Sequence, residues 1–261
     1  SAASDVYKRQ PLIQYAVEEA AEAGVEEFIF VTGRNKTAIE NHFDHSFELE
    51  ETLAAKGKDE ALHLVKDMLQ NPGSVFYVRQ QQPAGLGHAV WCARHLVGSE
   101  PVAVLLADDL ILGASCVKEM VDAYKGGNMV AVMDVPHEQT GSYGIVTPGA
   151  DDGRIVQVEG LVEKPDPSSA PSNIAVVGRY IITPEVFETL AAQESGAGGE
   201  IQLTDALAKQ IGKAPFSGVR FSGERFDCGS KLGFLQANVA FGLNNDAMRD
   251  QLRDWLGERL G

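Results

Sequence analysis

Cysteine is scarce in this chain: Cys92, Cys116 and Cys228 are the only three in 261 residues. Their spacing is neither paired nor of a metal-binding type. That excludes a disulfide framework and fits a reducing cytoplasm, with three ordinary buried thiols. Positive charge is also in short supply. Lys and Arg number 22 against 37 Asp and Glu, giving a formal net charge of −15. A chain this acidic is a poor partner for nucleic acid or an anionic membrane, although a local, metal-assisted site for one nucleotide stays open. No apolar run reaches the roughly 20 residues a membrane helix needs. No signal-peptide pattern, internal repeat or low-complexity tract is readable.

Hydrophobic residues make up 44% of the chain, enough for a substantial core. The length suits one large α/β domain, with or without a small appendage. The chain is organised around Pro101-Val-Ala-Val-Leu-Leu-Ala-Asp-Asp-Leu-Ile-Leu112, an apolar run ending in two carboxylates. Such a run reads as a strand buried on both faces in the middle of a parallel sheet. Asp108 and Asp109 then fall at its carboxyl end, the edge of an open α/β sheet where ligands bind. Two hard oxygen donors there suit Mg²⁺ on nucleotide phosphates, and a capped turn is the equal alternative.

Ser1 to Gln10 differ in character from the rest of the chain and are set aside as a foreign segment. A helix is expected over Pro11–Ala23, with Leu12, Ile13, Ala16, Val17 and Ala20 as its apolar stripe and Gly24 as its stop. A strand through Phe28-Ile-Phe-Val31 comes next, then a short helix over Lys36–Phe43 and a longer charged one over Phe47–Leu69. After a strand at Val75–Arg79, Gln80-Gln-Gln-Pro-Ala-Gly-Leu-Gly-His-Ala89 leads into a helix. Glycines at a helix entry admit a ligand to the backbone. A glutamine amide can read the imide edge of uracil or thymine. A plain strand–turn–helix joint stays equally open, and His88 reads as a packing or capping residue.

Beyond Asn128–Val135 the pattern turns strand-rich, at Gly141–Thr147, Arg154–Glu163 and Asn173–Ile182. This predicts an antiparallel extension of the sheet. Lys164, after Glu163, is a candidate phosphate partner, although a plain surface lysine is the commoner case. Gly178 in mid-strand marks close approach of a ligand or of another backbone. Glu200 precedes a helix and suits either sugar hydroxyls or the helix dipole. Asp227 ends a strand just before a glycine and a helix, as a second candidate metal ligand facing Asp108. The C-terminal segment 245–261 reads as an amphipathic helix (Met248, Leu252, Trp255, Leu256, Leu260) in need of a partner.

Together, the ordered motifs Pro11–Ala20, Gln80 with Gly85-Leu-Gly-His-Ala89, Leu105-Leu-Ala-Asp-Asp109, Gly141-Ser-Tyr-Gly144, Val162-Glu-Lys-Pro165, Gly199-Glu-Ile-Gln-Leu-Thr-Asp205 and Asp227-Cys-Gly-Ser-Lys-Leu-Gly233 closely resemble the bacterial UTP–glucose-1-phosphate uridylyltransferases, or UDP-glucose pyrophosphorylases. The resemblance runs from Pro11 to about Trp255. It implies a Rossmann-like, GT-A-like nucleotidyltransferase fold: a mixed, mainly parallel sheet flanked by helices, with a small antiparallel β extension. It places that domain at 11–244, with 245–261 as a helix that contacts another subunit. The implied reaction is UTP + glucose 1-phosphate ⇌ UDP-glucose + diphosphate, by in-line attack on the α-phosphorus without a covalent intermediate.

Carried over residue by residue, the resemblance assigns uracil reading to Gln80 and Gly85. It gives Mg²⁺ on the α-phosphate to Asp108 and Asp227, the glucose phosphate to Lys164, and sugar hydroxyls to Glu163, Gly178 and Glu200. It further implies a cytoplasmic homodimer or homotetramer with no nucleic-acid or membrane partner. The family opens with a strand and a Gly-rich phosphate loop, and no residue of Ser1–Gln10 maps onto them. The expectation is therefore a poorly stable chain of little activity. The rival readings are a dTTP-using sugar-1-phosphate nucleotidyltransferase and a non-catalytic sugar-nucleotide-binding paralogue.

Overall fold

Hydropathy and capping chemistry set most element limits. A computed structural model of the chain describes residues 11–67 and 71–261. The foreign segment read at 1–10 and the end of the helix read to Leu69 therefore lie outside the described residues. Helix α1 (Leu12–Glu22) starts after Pro11 and buries Gln14, Ala16, Val17 and Ala20. It stops where Gly24 takes a φ of 89°. Strand β1 (Phe28–Thr32) comes next.

The charged segment expected as one helix is two, α3 (Phe47–Ala55) and α4 (Asp59–Asp67), after the short α2 (Thr37–His42). Gly57, at a φ of 63°, breaks it, because left-handed backbone ends a helix. Then come β2 (Val75–Arg79), α5 (Leu86–Cys92), β3 (Val102–Leu105) and β4 (Asp109–Leu112). Helix α6 (Cys116–Ala123) is capped by Ser115, whose hydroxyl accepts from Lys118 N at 3.1 Å. The rest is β5 (Asn128–Asp134), β6 (Gly144–Asp151), β7 (Ile155–Glu163), β8 (Ile174–Ile182), α7 (Pro184–Leu190), α8 (Leu203–Ala208), β9 (Phe216–Arg220), β10 (Glu224–Asp227), α9 (Lys231–Asn244) and α10 (Arg249–Leu260).

Six strands form a mixed sheet in the order β3-β8-β5-β9-β7-β6. β5 and β9 run parallel, and β6 and β7 form the antiparallel extension. A parallel β1–β2 pair and an antiparallel β4–β10 pair complete the described sheets. The core sits on both faces of β8, all nine of whose residues are buried. One cluster joins Val130, Val132, Val176 and Ile182 to Val186 and Leu203 on the helices. A second joins Met129, Val177 and Ile181 to Met120 of α6.

The reading of the apolar run before Asp108 as a strand buried on both faces between parallel neighbours is corrected. The strand there, β3, is half-buried and pairs antiparallel with β8. The backbone then turns at Leu106–Asp108 and restarts as β4 against β10. Hydropathy shows how apolar a run is, not which strand it pairs with. The turn puts both aspartates at the seam between the large sheet and the β4–β10 ribbon.

Candidate active site

Asp108 ends the turn and Asp109 opens β4, and the two carboxylates have different surroundings. Asp108 is exposed, whereas Asp109 is 4% exposed. Asp109 Oδ2 accepts the backbone N–H of Gly178 at 2.8 Å. Its Oδ1 accepts from Arg225 Nε at 2.8 Å and forms an ion pair with Arg225 Nη2. Burial pushes the Asp109 carboxyl above its ordinary range, and Arg225 and the Gly178 N–H act against that push. Asp109 is thus a structural anchor, whereas the Asp108 side chain is open to solvent.

Asp227 stands opposite Asp109 in the β4–β10 register. The Asp108 carbonyl accepts from Cys228 N at 2.8 Å, which ties the two strand ends together. Asp227 Oδ1 accepts from Gly229 N at 3.0 Å. A Cβ on Gly229 would lie 3.1 Å from both Asp108 Oδ2 and Asp227 Oδ1. The two carboxylates therefore flank one bare backbone position, no further apart than twice that distance. Among the described residues no group of three or more His, Cys, Asp or Glu could hold a metal. Two protein carboxylates with the rest of the shell from water and phosphate is a common arrangement for Mg²⁺.

A buried guanidinium holds this turn from behind. Arg179, 1% exposed in mid-β8, donates to the carbonyls of Leu106 (2.9 Å), Gly178 (3.1 Å) and Asp109 (2.8 Å). It pairs with Glu19 of α1 at 2.7 Å. The sequence reading missed Arg179, Arg225 and Glu19. The one signal for them was a lone arginine inside Ile174–Ile182, since a charge in a fully buried strand must be paired.

On the opposite flank, Gln80 comes directly after β2. Its Nε2 donates to the Gly85 carbonyl at 3.0 Å and lies 3.0 Å from His88 Nδ1. A carbonyl only accepts, so the Gln80 amide nitrogen is the atom that faces Gly85. Gly85 has a φ of 104°, and a Cβ there would meet the Ile201 carbonyl oxygen at 2.7 Å and Glu200 Cβ at 2.8 Å. The 200–202 loop is laced to this entry by Ile201 N to Ala84 O and Gly87 N to Ile201 O, both 2.8 Å. Glu200 is thereby placed beside Gly85, with its own Oε2 accepting from Gln202 Nε2 at 3.2 Å.

The third part is the end of β7. Lys164 is exposed, with an unusual φ of 45°, and its backbone N–H donates to the Tyr143 carbonyl at 2.9 Å. Its Nζ is 3.7 Å from Glu163 Oε1, its one ion pair among the described residues. Gly144, opposite Glu163 in register, faces both Glu163 Oε2 and Thr204 of α8. The close approach expected at Gly178 is made by Asp109 and Leu106, whose Cβ would lie 2.7 Å from a Gly178 methyl. The structure joins the candidate residues in three local groups: Asp108 with Asp227 at Gly229, Lys164 with Glu163 at the end of β7, and Gln80 with Gly85 and Glu200 at the entry of α5.

An α/β fold with carboxylates, an amide and a lysine at the ends of strands from its three sheets is the framework of a nucleotide-handling enzyme. The family model of the nucleotidyl transferases matches residues 3–242, and the chain belongs to that family. Within it the chain is 49% identical to the UTP–glucose-1-phosphate uridylyltransferase of Komagataeibacter xylinus, over 95% of this chain and 86% of the relative. It is 48% identical to that of Bacillus subtilis, over 93% and 84%. Among solved structures, a UTP-bound UGPase from Acinetobacter baumannii superposes with a TM-score of 0.86 at 39% identity, covering 95% of this chain and 88% of that one. A UDP-glucose pyrophosphorylase complexed with UDP-glucose gives 0.80 at 39% identity, covering 90% and 88%. A glucose-1-phosphate thymidylyltransferase-type structure from Bacillus anthracis, at 20% identity and a TM-score of 0.61, shares the fold.

Proposed function

We propose that the chain is a uridylyltransferase that makes UDP-glucose and diphosphate from UTP and glucose 1-phosphate. The observation that carries this is the convergence of Asp108 and Asp227, from two different strand ends, on the bare backbone of Gly229. Identity near 49% to uridylyltransferases supports the uridine nucleotide over its thymidine counterpart.

Gln80 presents an amide oxygen to the uracil imide N–H, and Gly85 serves the base site by letting the 200–202 loop close against the helix entry. Lys164 holds the sugar phosphate, and Glu163 and Glu200 accept from glucose hydroxyls. Gly178 acts from behind, by admitting the Asp109 carboxylate that fixes the turn carrying Asp108. Asp108 and Asp227 would hold a Mg²⁺ ion, which when bound neutralises charge on the α-phosphate. The protein's own contribution is alignment of the attacking sugar phosphate with the α-phosphorus. The exposed apolar residues Leu232, Leu235 and Trp255 on α9 and α10 support self-association through the C-terminal helices. No helix among the described residues is long and apolar enough to cross a membrane. Three free thiols and an acidic surface favour a cytoplasmic setting.

The test mixes the chain with UTP, glucose 1-phosphate and Mg²⁺, monitors UDP-glucose, and measures UDP-glucose binding on the same sample. Asp108→Asn and Asp227→Asn should each lower turnover by about 10²-fold or more. Absence of both turnover and binding in the unmutated chain would overturn the reading.

A further inference from the structure

Lys164 sits in a conformation that a lysine rarely takes. Left-handed backbone costs a non-glycine residue about 1 kcal/mol or more, so the surroundings must impose it. The imposing contacts are the bond from Lys164 N to the Tyr143 carbonyl and the Gly144–Glu163 pairing beside it. Tyr143 is itself clamped. Arg225 Nη1 donates to its hydroxyl at 3.3 Å, and the guanidinium carbon lies 5.4 Å from its ring centroid. The other side of that guanidinium is bound to Asp109. Arg225 precedes Asp227 by two residues on β10, so the two share a face of that strand.

We propose that Arg225 and Tyr143 are positioning residues that set Lys164, and with it the sugar phosphate, against the carboxylate pair Asp108–Asp227. One short strand supplies both a metal-holding carboxylate and the guanidinium that clamps the lysine's neighbour. The path from Asp227 to Lys164 passes through Arg225, the Tyr143 side chain and the Tyr143 carbonyl. An in-line attack loses much of its rate when its partners are misplaced by about 1 Å, so a rigid link between the two phosphate-holding groups has a direct use. The Arg225–Asp109 ion pair is well placed for this, because a largely buried guanidinium with two nitrogens on one carboxylate oxygen loses less orientation than an exposed lysine pair.

The inference rests on the assignment of Lys164 to the sugar-side phosphate, so its test must separate the two. Binding of UDP-glucose and of UMP is measured by calorimetry with Mg²⁺ for four proteins: the unmutated chain, Tyr143→Phe, Lys164→Ala and the double variant. UMP carries the uridine and its phosphate but lacks the glucose and the glucose phosphate. Lys164→Ala should weaken UDP-glucose about tenfold and leave UMP unchanged. Tyr143→Phe keeps the ring and loses the hydroxyl. It should weaken UDP-glucose about fivefold with UMP and Tm unchanged. The double variant should lose little more than Lys164→Ala alone, because Tyr143 acts through the lysine. If Lys164→Ala matters and Tyr143→Phe does not, the inference is wrong and the site assignment stands. If Tyr143→Phe weakens both ligands alike, or its effect simply adds to that of Lys164→Ala, Tyr143 is only structural and the inference is again wrong. If Lys164→Ala changes nothing, the site assignment itself fails.

Discussion

The backbone N–H of Gly178 donates to the Asp109 carboxylate at 2.8 Å, and no side chain could stand between them. A Cβ on Gly178 would come closer to Asp109 Oδ2 than real Cβ atoms approach, and within 2.7 Å of Leu106 Cβ. The glycine thus lets a buried strand receive a buried carboxylate, and this contact fixes the turn from which Asp108 projects.

Gly178→Ala should therefore overpack the seam. The expected cost is about 2–3 kcal/mol, read as a lower urea midpoint, with UDP-glucose binding weakened in step. An unchanged midpoint would show that the Asp109 turn is free to move.

The two adjacent aspartates should separate cleanly. Asp109→Asn leaves the Arg225 side chain, 10% exposed, without its anionic partner, and should cost about 3 kcal/mol in stability. Asp108→Asn removes an exposed carboxylate and should change stability by less than about 0.5 kcal/mol. Its effect belongs to Mg²⁺-dependent ligand binding. Thermal unfolding beside calorimetry distinguishes the two, and equal stability losses would contradict the division of roles.

Gly85→Ala tests the base side. At a φ of 104°, with the Ile201 carbonyl oxygen 2.7 Å from the added carbon, either the helix entry or the 200–202 loop must shift. UMP affinity should fall about tenfold. Gly98→Ala, where nothing lies within 4 Å of the added carbon, should be silent and serves as the control.

His42 supplies a pH dependence. Its Nε2 lies 2.6 Å from Gln14 Oε1, and burial lowers its pKa below the ordinary 6.5, with Glu18 opposing. The folded state then binds fewer protons than the unfolded chain just below pH 6.5. Stability is fully present above 6.5 and is lost as pH falls through the lowered folded value. Urea midpoints between pH 5 and 7 should track that slope, and His42→Asn should flatten it. A slope of the opposite sign would contradict the assignment.

Local patterns were legible in the sequence. The stripe Ala16, Val17 and Ala20 faces inward as its spacing implies, and Val75–Arg79 is a strand with those limits. The candidate ligand residues Gln80, Lys164 and Asp227 sit at strand ends, which Gly, Pro and carboxylates mark in the sequence. What escaped was long-range pairing. Glu19 and Arg179 are 160 residues apart and meet at 2.7 Å, and no local window holds both. The split of Pro101–Leu112 was hidden for the same reason: β4 leaves the apolar run to pair with β10, which lies far along the chain. The different fates of Asp108 and Asp109 depend on Arg225 and Gly178, neither of which is near them in sequence.

The most direct test of the central claim is calorimetric binding of UDP-glucose to this chain in Mg²⁺, repeated with Gln80→Ala and Lys164→Ala. A one-to-one complex, weakened about tenfold by each substitution, is the predicted result. No binding, or binding that neither substitution changes, would mean that Gln80 and Lys164 do not belong to a sugar-nucleotide site.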